Sequence, residues 1–323
     1  MSIDLEPGFV DPFDGIDPSL VADLGPTTRG KVRDIVDLGD TLALIATDRI
    51  SAFDRVLGTV PYRGQVLNEL AAWWFDRIAD IVPSHVVSVP DANVTIGRKC
   101  DTLPVEVVVR GRLSGSTSTA LWTSYAAGER EIYGLTFPDG MRKNDALAQP
   151  VITPTTKAEQ GAHDEPITEA GIVERGLVDA ERWDEVRTVA LEVFARGQEV
   201  AAAAGLVLVD TKYEFGLDAQ GRLTIIDEVH TPDSSRYWRA STVQSRLDAG
   251  LEPENLDKEA VRLVYAERGY RGDGDPDPLD RPLAEMAAGV YQEAFEALVG
   301  RALEPAEYPA APRVVAAIRA AAS

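Results

Sequence analysis

The chain has 323 residues, 45% of them hydrophobic, which is typical of a globular protein with a sizeable core in one large or two smaller domains. Its 53 acidic and 32 basic residues give a net charge of −21, which argues against nucleic acid or an anionic membrane as a partner, because long-range repulsion would dominate. A single cysteine, Cys100, excludes an internal disulfide framework and a multi-cysteine zinc site, so we expect a reducing, cytoplasmic location. Residues 1–23 lack a basic region followed by an apolar core, and no stretch approaches the roughly 18 apolar residues of a membrane span, so we expect neither export nor insertion.

In chain order, the first third is rich in short strand-like runs, which predicts a small β-rich lobe. The predicted strands span 31–36, 41–47, 86–89 and 105–110, and a helix is predicted at 66–81. After a loop at 149–168, the second half is predicted to contain a long amphipathic helix at 180–204, a charged hairpin at 208–229, and helices at 257–268 and 283–299.

The segment at 25–32 resembles a phosphate-binding P-loop. However, Val32 stands where that motif needs Ser or Thr to hold Mg²⁺, and the chain continues as a strand instead of a helix. The strand places Lys31 and Arg33 on one face, and Gly30 permits close approach of the backbone, so we predict that this segment grips a polyphosphate. An ordinary exposed strand edge is the alternative for the segment taken alone.

A second anion-binding segment is predicted where the strand at 105–110 ends. Arg110 and Arg112 are followed by a turn of small residues that includes Ser116, and a helix-like run comes next. The free backbone N–H groups and hydroxyls of such a turn can cradle a phosphate. Helix capping alone would explain the hydroxyls at 116–119, but not the two arginines, nor Glu106 on their face of an otherwise apolar strand.

The loop at 153–165 carries charged and hydroxyl side chains without hydrophobic periodicity. Its candidate chemistries are phosphate contact by Lys157, acid–base chemistry by His163, and substrate or metal contact by Asp164 or Glu165. A solvated connector is the alternative. The three scattered histidines of the chain form neither a zinc cluster nor a Ser/His/Asp arrangement.

The charged hairpin is the most informative segment. Lys212 and Glu214 share one face, and pairing Leu217 with Arg222 across the turn would place Asp227 opposite Lys212. Cross-strand neighbours are about 5 Å apart and diagonal ones about 7 Å, a span that a divalent cation can bridge. Two carboxylates this close repel unless a cation or proton lies between them, so we predict a Mg²⁺ site at Glu214 and Asp227 beside Lys212. A solvated hairpin with a surface ion pair is the alternative.

Together these motifs resemble the SAICAR synthetase (phosphoribosylaminoimidazole-succinocarboxamide synthase) family. The matching segments lie at 30–34, 46–54, 104–116, 153–165, 209–216 and 227–236. The resemblance implies a two-lobed α+β fold with the active site in the cleft between the lobes. We expect an acidic N-terminal extension at 1–24, a β-rich ATP-binding lobe at 25–112, and a larger substrate- and metal-binding lobe with C-terminal helices at 113–323.

The resemblance also implies a reaction. ATP would drive the joining of L-aspartate to the carboxylate of carboxyaminoimidazole ribonucleotide (CAIR), giving the succinocarboxamide SAICAR, ADP and phosphate. The expected partners are therefore small molecules (CAIR, L-aspartate, ATP) with Mg²⁺, and neither nucleic acid nor membrane. The oligomeric state stays open between a monomer and a small homo-oligomer. Phosphorylating the carboxylate gives an acyl phosphate that an amine can attack, so positioning and charge neutralisation matter more than a protein nucleophile.

Each matching residue acquires an implied role from this resemblance. ATP would be bound by Gly30, Lys31, Arg33, Glu214 and Asp227, of which Glu214 and Asp227 would hold Mg²⁺. The ribonucleotide would be held by Arg110, Ser116 and Arg236, with Asp54, Glu106, Lys212 and Asp233 lining the same site. We predict Lys212, Glu106 and Asp233 as catalytic residues. Arg49 and Lys157 are the candidates for binding the carboxylates of L-aspartate.

The segment at 117–121 departs from the family pattern, which reaches an aromatic residue sooner than Trp122. A paralogous ligase with a different carboxylate or amine is therefore an alternative. A non-catalytic nucleotide sensor is another, although every metal and phosphate position here is filled by the residue type that the chemistry requires. A kinase is disfavoured by the absence of a His-Arg-Asp loop and an Asp-Phe-Gly motif.

Overall fold

The computed structural model describes residues 11–117, 119–157, 165–272 and 274–323, which form an α+β fold. The strands are β1 (Thr27–Arg29), β2 (Arg33–Asp37), β3 (Thr41–Ala46), β4 (Arg49–Ala52), β5 (Arg55–Thr59), β6 (Val86–Asp91), β7 (Val94–Arg98), β8 (Asp101–Arg112), β9 (Glu131–Ile132), β10 (Leu135–Thr136), β11 (Ala146–Ile152), β12 (Thr155–Thr156), β13 (Leu206–Leu217), β14 (Leu223–Ile226) and β15 (Ser235–Arg239). The helices are a 3₁₀ turn (Pro18–Val21), α1 (Arg63–Ile78), α2 (Leu121–Ala126), α3 (Glu169–Glu174), α4 (Ala180–Ala203), α5 (Ala240–Asp248), α6 (Glu259–Glu267), α7 (Arg281–Val299) and α8 (Ala311–Ala321).

The four helices predicted from periodicity are confirmed as α1, α4, α6 and α7. The predicted ends of α4 are nearly right, because the Asp179 side chain caps its first turn and Gly205, with a φ of 74°, follows its last residues. Helix α1 begins earlier than predicted. Its first turn buries the polar residues Arg63 and Gln65, which hydrophobic periodicity does not count.

The small sheet is antiparallel, with strand order β1-β2-β3-β7-β6. Alternation along its strands gives two different faces. Val36, Ala43 and Ile45 are fully buried on one face, while Ile35 and Leu44 are half-buried on the other. The half-buried face forms the apolar wall of the cavity described below.

Both ends of the described chain cover the buried face of the small sheet. Phe13, Ile16 and Val21 near the N-terminus form one hydrophobic cluster with the sheet and with Val314 and Ile318 of α8. The predicted N-terminal extension is therefore, from residue 11 onwards, part of the small lobe. Helix α8 also belongs there, although the sequence assigned it to the larger lobe, because its apolar stripe finds its complement on β6 and β7.

The large sheet has strand order β11-β8-β13-β14, with β12 added to β8 and β15 added to β13. On one face, Val107 and Val109 of β8 join the main core with Phe194 of α4. Side chains alternate across a strand, so Glu106 and Lys212 lie on the opposite face. This polar face looks toward the small sheet across the cavity.

The predicted hairpin is confirmed as β13 and β14, but in a different register. Leu217 pairs with Leu223 instead of Arg222, so Asp227 does not lie opposite Lys212. A shift of one residue exchanges the two faces of a strand. The predicted cross-strand pair of Asp227 and Lys212 is therefore wrong.

The turn and the end of β14 explain the difference. Asp218 accepts hydrogen bonds from the backbone N–H groups of Gln220 and Arg222, both at 2.9 Å, which stabilises a turn one residue longer than expected. Asp227 follows the last residue of β14 with a φ of 69°, a left-handed conformation that Asp tolerates better than most residues. This turn of the backbone, and not strand alternation, directs its side chain into the cavity.

The lobe boundary predicted at residue 112 would place β8 in the small lobe. Instead, β8 is an inner strand of the large sheet, and the chain passes from one sheet to the other between Arg98 and Asp101. Alternation along a strand does not reveal which sheet the strand joins, so the sequence misplaces this boundary. Within the described ranges, none of the helices has the length and apolar character needed to cross a membrane.

Candidate active site

A cavity of about 620 Å³ lies between the two sheets. The small sheet contributes an apolar wall, formed by Ile35, Leu42 and Leu44. The charged residues of the cavity are Lys31, Arg33, Arg98, Lys157, Lys212, Glu214, Asp227, Glu228, Asp233 and Lys258. An apolar wall beside a densely charged region suits a ligand that combines a flat ring with phosphate or carboxylate groups.

Lys212 lies between two acids. The β8–β13 pairing places Glu214 directly opposite Glu106, which is unfavourable unless a cation joins the pair. Lys212 Nζ donates to Glu106 at 2.9 Å and to Glu214 at 2.6 Å, and Lys157 Nζ donates to Glu214 at 2.6 Å. Burial would raise the pKa of Glu214, but Lys212 and Lys157 outweigh it and lower that pKa to about 2. Glu214 is therefore ionised at neutral pH.

The protonation of Lys212 follows from the same contacts. Burial would lower its pKa, but Glu214 and Glu106 raise it well above the ordinary value. Lys212 therefore carries a fixed positive charge at neutral pH and does not act as a general base in this state. Its positive charge can stabilise negative charge on a neighbouring group.

Arg33 connects the two sheets across the cavity. One guanidinium nitrogen pairs with Asp227, and the other lies 3.1 Å from Glu228. Burial would lower the pKa of Arg33, but the two acids raise it above its ordinary value. Burial also raises the pKa of Glu228, against the opposing effect of Arg33. The predicted phosphate contact thus lies beside a predicted metal ligand.

Gly30 and Lys31 line the cavity next to Arg33, and Lys31 forms an exposed ion pair of 2.9 Å with Asp54. The structure corrects the prediction for Arg49. The Arg49 side chain is 3% exposed and donates to Asp34 and to the backbone oxygens of Gly30 and Lys31. Arg49 therefore supports the predicted phosphate-binding turn from behind, and its buried guanidinium group is not placed to contact a substrate carboxylate.

Asp233 lines the cavity and joins three helical segments. Its carboxylate accepts from Arg63 of α1, from Lys258 before α6 at 3.0 Å, and from the Tyr291 hydroxyl of α7 at 2.6 Å. Burial would raise the pKa of Asp233, but Arg63 and Lys258 outweigh it and hold that pKa well below its usual range. This predicted catalytic residue is also an ionised structural anchor.

Asp210 brings together the two arginines predicted to hold a ribonucleotide. Strand β13 pairs Asp210 with Arg110 on one side and with Arg236 on the other. Its carboxylate accepts from Arg236 at 2.5 Å and from Arg110 at 3.3 Å. Arg110 also donates to the Thr153 hydroxyl at 2.8 Å. Both guanidinium groups are thereby fixed in orientation.

The predicted anion-binding turn lies against Arg236. The Ser116 hydroxyl donates to Glu259 at 2.5 Å, and a Cβ added at Gly115 would lie 3.3 Å from a guanidinium nitrogen of Arg236. Helix α2 has only six residues, and its N-cap, Ala120, makes no side-chain capping bond. Helix capping therefore does not explain the hydroxyl of Ser116.

The segment at 117–121, apart from residue 118, which lies outside the described residues, borders Arg110. The Thr119 backbone oxygen accepts from the Arg110 guanidinium at 3.2 Å. Arg112 does not join this site as the sequence suggested. Its guanidinium donates to the Asn144 backbone oxygen at 3.1 Å and lies over the Trp238 ring.

The predictions for His163 and Asp164 fall on residues 158–164, which lie outside the described residues. Glu165 is described and exposed. Further residues reach the site without a predicted role, among them Asp210, Glu228, Lys258 and Glu259. Lys258 and Glu259 begin a predicted amphipathic helix, where charged side chains are ordinarily solvated, so no sequence signal marked them.

The carboxylate oxygens of Glu214 and Asp227 are of the type that binds a magnesium ion together with a phosphate. Mg²⁺ in proteins is commonly held by one or two carboxylates together with substrate phosphate oxygens. Glu214 and Asp227 line the same cavity as Lys31 and Arg33. Over the part of the chain that the structure describes, no group of three or more His, Cys, Asp or Glu side chains is arranged to hold a metal. A Mg²⁺ ion held by Glu214 and Asp227 would need further oxygen donors, such as those of a phosphate group.

Known proteins that resemble this chain identify its family. Residues 26–276 match the family described as SAICAR synthetase. The chain belongs to the SAICAR synthetase family. A phosphoribosylaminoimidazole-succinocarboxamide synthase of Legionella pneumophila (strain Lens) is 52% identical over 278 residues, which cover 85% of this chain and 88% of that protein. A chloroplastic one of Vigna aconitifolia is 56% identical over 238 residues, covering 74% and 69% respectively.

Solved structures of SAICAR synthetases share the fold. The SAICAR synthase of Saccharomyces cerevisiae complexed with SAICAR has a TM-score of 0.76 and 26% identity, and the match covers 90% of this chain and 99% of that one. A SAICAR synthetase in complex with ADP has a TM-score of 0.66 at 24% identity, over 86% and 100% of the two chains. The predicted α+β fold is thereby confirmed, as is the predicted enzyme class, an ATP-dependent carbon–nitrogen ligase of purine biosynthesis.

Proposed function

We propose that the cavity between the two sheets joins L-aspartate to the carboxylate of CAIR, with conversion of ATP to ADP and phosphate. The observation that carries the proposal is the convergence of Arg33, Lys212, Glu214 and Asp227 on one cavity from two separate sheets. Phosphoryl transfer to a carboxylate brings several negative groups together. A site with fixed cations and an oxygen-donor pair is suited to that task.

ATP would bind along the small sheet. Gly30, Lys31 and Arg33 would contact its phosphates, and the purine ring would lie against Ile35 and Leu44 of the apolar wall. A Cβ added at Gly30 would lie 3.0 Å from the Arg33 backbone oxygen, so glycine is favoured at this turn.

Mg²⁺ would be held by Glu214 and Asp227, and when bound it would neutralise charge on the phosphoryl group being transferred. Lys157 pairs with Glu214, and Arg33 pairs with Asp227. Lys157 and Arg33 neutralise the negative charges of the two carboxylates. Both cations also lie where they can pair with phosphate oxygens of ATP instead.

The chemistry then needs two displacements. The CAIR carboxylate oxygen attacks the γ-phosphorus and ADP leaves; the L-aspartate amine next attacks the acyl carbon, a C–N bond forms, and phosphate leaves with loss of the amine proton. Protonated Lys212 would stabilise the negative charge near the acyl group, and Glu106 would orient its ammonium at 2.9 Å. Asp233 would hold Lys258 and Arg63 beside the same centre.

The ribonucleotide would be held by Arg110, Arg236 and Ser116, because Asp210 fixes both arginines and the turn packs against Arg236. Lys157 is the remaining predicted contact for a carboxylate of L-aspartate, since Arg49 is buried elsewhere. The segment at 117–121 borders Arg110 and would contribute to substrate choice.

The first experiment supplies purified protein with ATP, Mg²⁺, L-aspartate and CAIR, follows ADP and SAICAR together, and omits each substrate in turn. We expect both products in equal amounts only when all substrates are present. ADP without SAICAR would indicate a different acceptor, and no turnover despite ATP binding would indicate a sensor. Lys212→Met should abolish turnover. Lys99→Met, in an exposed ion pair with Asp37, is the matched control and should retain it.

The cytoplasmic location and the oligomeric state, monomer or small homo-oligomer, stay predictions. Light scattering coupled to size-exclusion chromatography would determine the oligomeric state, and fractionation of source cells would determine the location.

A further inference from the structure

Glu259 lies where a substrate anion is expected. Its carboxylate accepts from the Ser116 hydroxyl at 2.5 Å, lies 3.5 Å from Arg236, and lies 3.0 Å from Arg262. Ser116 and Arg236 are two of the three residues proposed to hold the ribonucleotide. A phosphate bound to them would therefore meet a second anion, the buried Glu259 carboxylate.

We propose that Glu259 occupies the phosphate position of the ribonucleotide in the ligand-free enzyme, and that the substrate phosphate displaces this carboxylate when it binds. The inference rests on the proposed ribonucleotide site and adds a residue that controls its affinity. It makes binding at Ser116 and Arg236 an exchange of anions instead of the filling of an empty site.

The Glu259 carboxylate pairs with only some of the hydrogen-bond donors around it. The Nε–H groups of Arg236 and Arg262 are buried, and neither has a hydrogen-bond partner among the described residues. The 3.5 Å separation of Arg236 and Glu259 also exceeds the 2.7–2.9 Å typical of charge-assisted hydrogen bonds. A phosphate monoester has three terminal oxygens against two on a carboxylate. It can therefore accept from donors that Glu259 leaves unpaired.

The charge state of Glu259 agrees with this role. Burial would raise its pKa, but Arg236 and Arg262 outweigh burial and lower that pKa to about 2. The carboxylate is thus ionised and prevents the two guanidinium groups from being buried without a counter-charge when no ligand is bound. Because this carboxylate is ionised, it repels a phosphate group, which must therefore displace it in order to bind.

The position of Glu259 allows displacement without movement of the backbone. Its N–H donates to Asp257 at 2.6 Å, and the same carboxylate accepts the N–H of Tyr237 at 2.8 Å, so the start of α6 is tied to β15. The exchange would proceed by rotation about the side-chain bonds of Glu259, while these hydrogen bonds hold the backbone at the start of α6. A ligand without a phosphate gains little from this exchange, so the arrangement favours the ribonucleotide over its dephosphorylated form.

Glu259→Gln tests the inference, because it keeps the shape and the acceptor for Ser116 and removes the charge. Calorimetric titration of the full chain with inorganic phosphate should show a dissociation constant about tenfold lower than in the unchanged protein, since juxtaposed like charges weaken binding. The KM for CAIR should fall in parallel, with the change in KM and not in kcat. Glu267→Gln, at the exposed end of the same helix, is the control for net charge and should leave phosphate binding unchanged.

Weaker or unchanged phosphate binding in Glu259→Gln would overturn the inference and make Glu259 a group that only positions Ser116 and Arg236. Glu259→Asp is a second variant should the first fail to fold; it withdraws the charge from Ser116 and should tighten binding to a smaller extent. Ser116→Ala, made in the otherwise unchanged protein, tests whether the ribonucleotide site is correctly placed. If phosphate binding does not depend on Ser116, the ribonucleotide site itself is misplaced, and both this inference and that part of the proposed function fail.

Discussion

Replacing Asp233 by Asn should destabilise the protein strongly, because it removes the negative charge that pairs with the buried guanidinium group of Arg63. The side chain of Asp233 is 6% exposed and that of its partner Arg63 is 0% exposed. Asn keeps the shape and can still accept from the Tyr291 hydroxyl, which donates to Asp233 at 2.6 Å. The substitution therefore isolates the loss of the negative charge from any loss of volume.

The size of this destabilisation depends on Arg63 and Lys258, the two cations that lose their counter-charge. Removing one member of a buried ion pair costs about 3–5 kcal/mol, against a total stability of about 5–15 kcal/mol for a typical protein. Burial lowers the pKa of Lys258, and loss of Asp233 would lower it further, so Lys258 can release its proton and limit the cost. Arg63 cannot release its proton, so we expect about 3–4 kcal/mol, or roughly 6–10 °C in the thermal midpoint.

Thermal unfolding followed by circular dichroism, with urea unfolding as a second measure, would determine the change. Asp139→Asn is the matched control, because Asp139 pairs with Arg130 through a side chain that is 91% exposed, and no measurable shift is expected there. Equal midpoints for the two variants would show that Asp233 does not compensate Arg63 in solution, and the argument from burial would be refuted.

Three further outcomes are expected. Asp227→Asn should lower kcat at least about a hundredfold at saturating Mg²⁺ while the fold is kept, since the metal pair loses half its charge; near-normal turnover would contradict the metal assignment. The pKa of Glu214 is lowered from 4.5 to about 2, so its contribution to stability is complete above pH 4.5 and is lost as the pH falls toward 2. The difference in unfolding free energy between the unchanged protein and Glu214→Gln should therefore shrink across that interval, and a constant difference would count against the ion pairs of Glu214. Cys100, the single cysteine, lines the cavity, so ATP should slow its alkylation, measured by mass spectrometry; an unaffected rate would place ATP elsewhere.

Local features of the sequence were enough to predict the long elements. Helix α4 and the charged hairpin were recognised because periodicity and turn residues act over a few neighbouring positions. The hairpin register was not, since it depends on which hydrogen bonds Asp218 makes within the turn. That error also misplaced Asp227, whose left-handed backbone no alternation rule anticipates.

The sequence by itself determined the charged groups available to this protein: the cations Lys31 and Arg33, which we predict to bind phosphate, and the acids around Lys212. Only the tertiary structure decided which of these groups meet. The sequence did not distinguish Arg49 from Lys157 as a candidate for binding a carboxylate, but packing buries Arg49 behind the predicted phosphate-binding turn. The physical reason is that charge and local geometry are properties of a short segment, whereas burial and ion pairing depend on elements far apart in the chain.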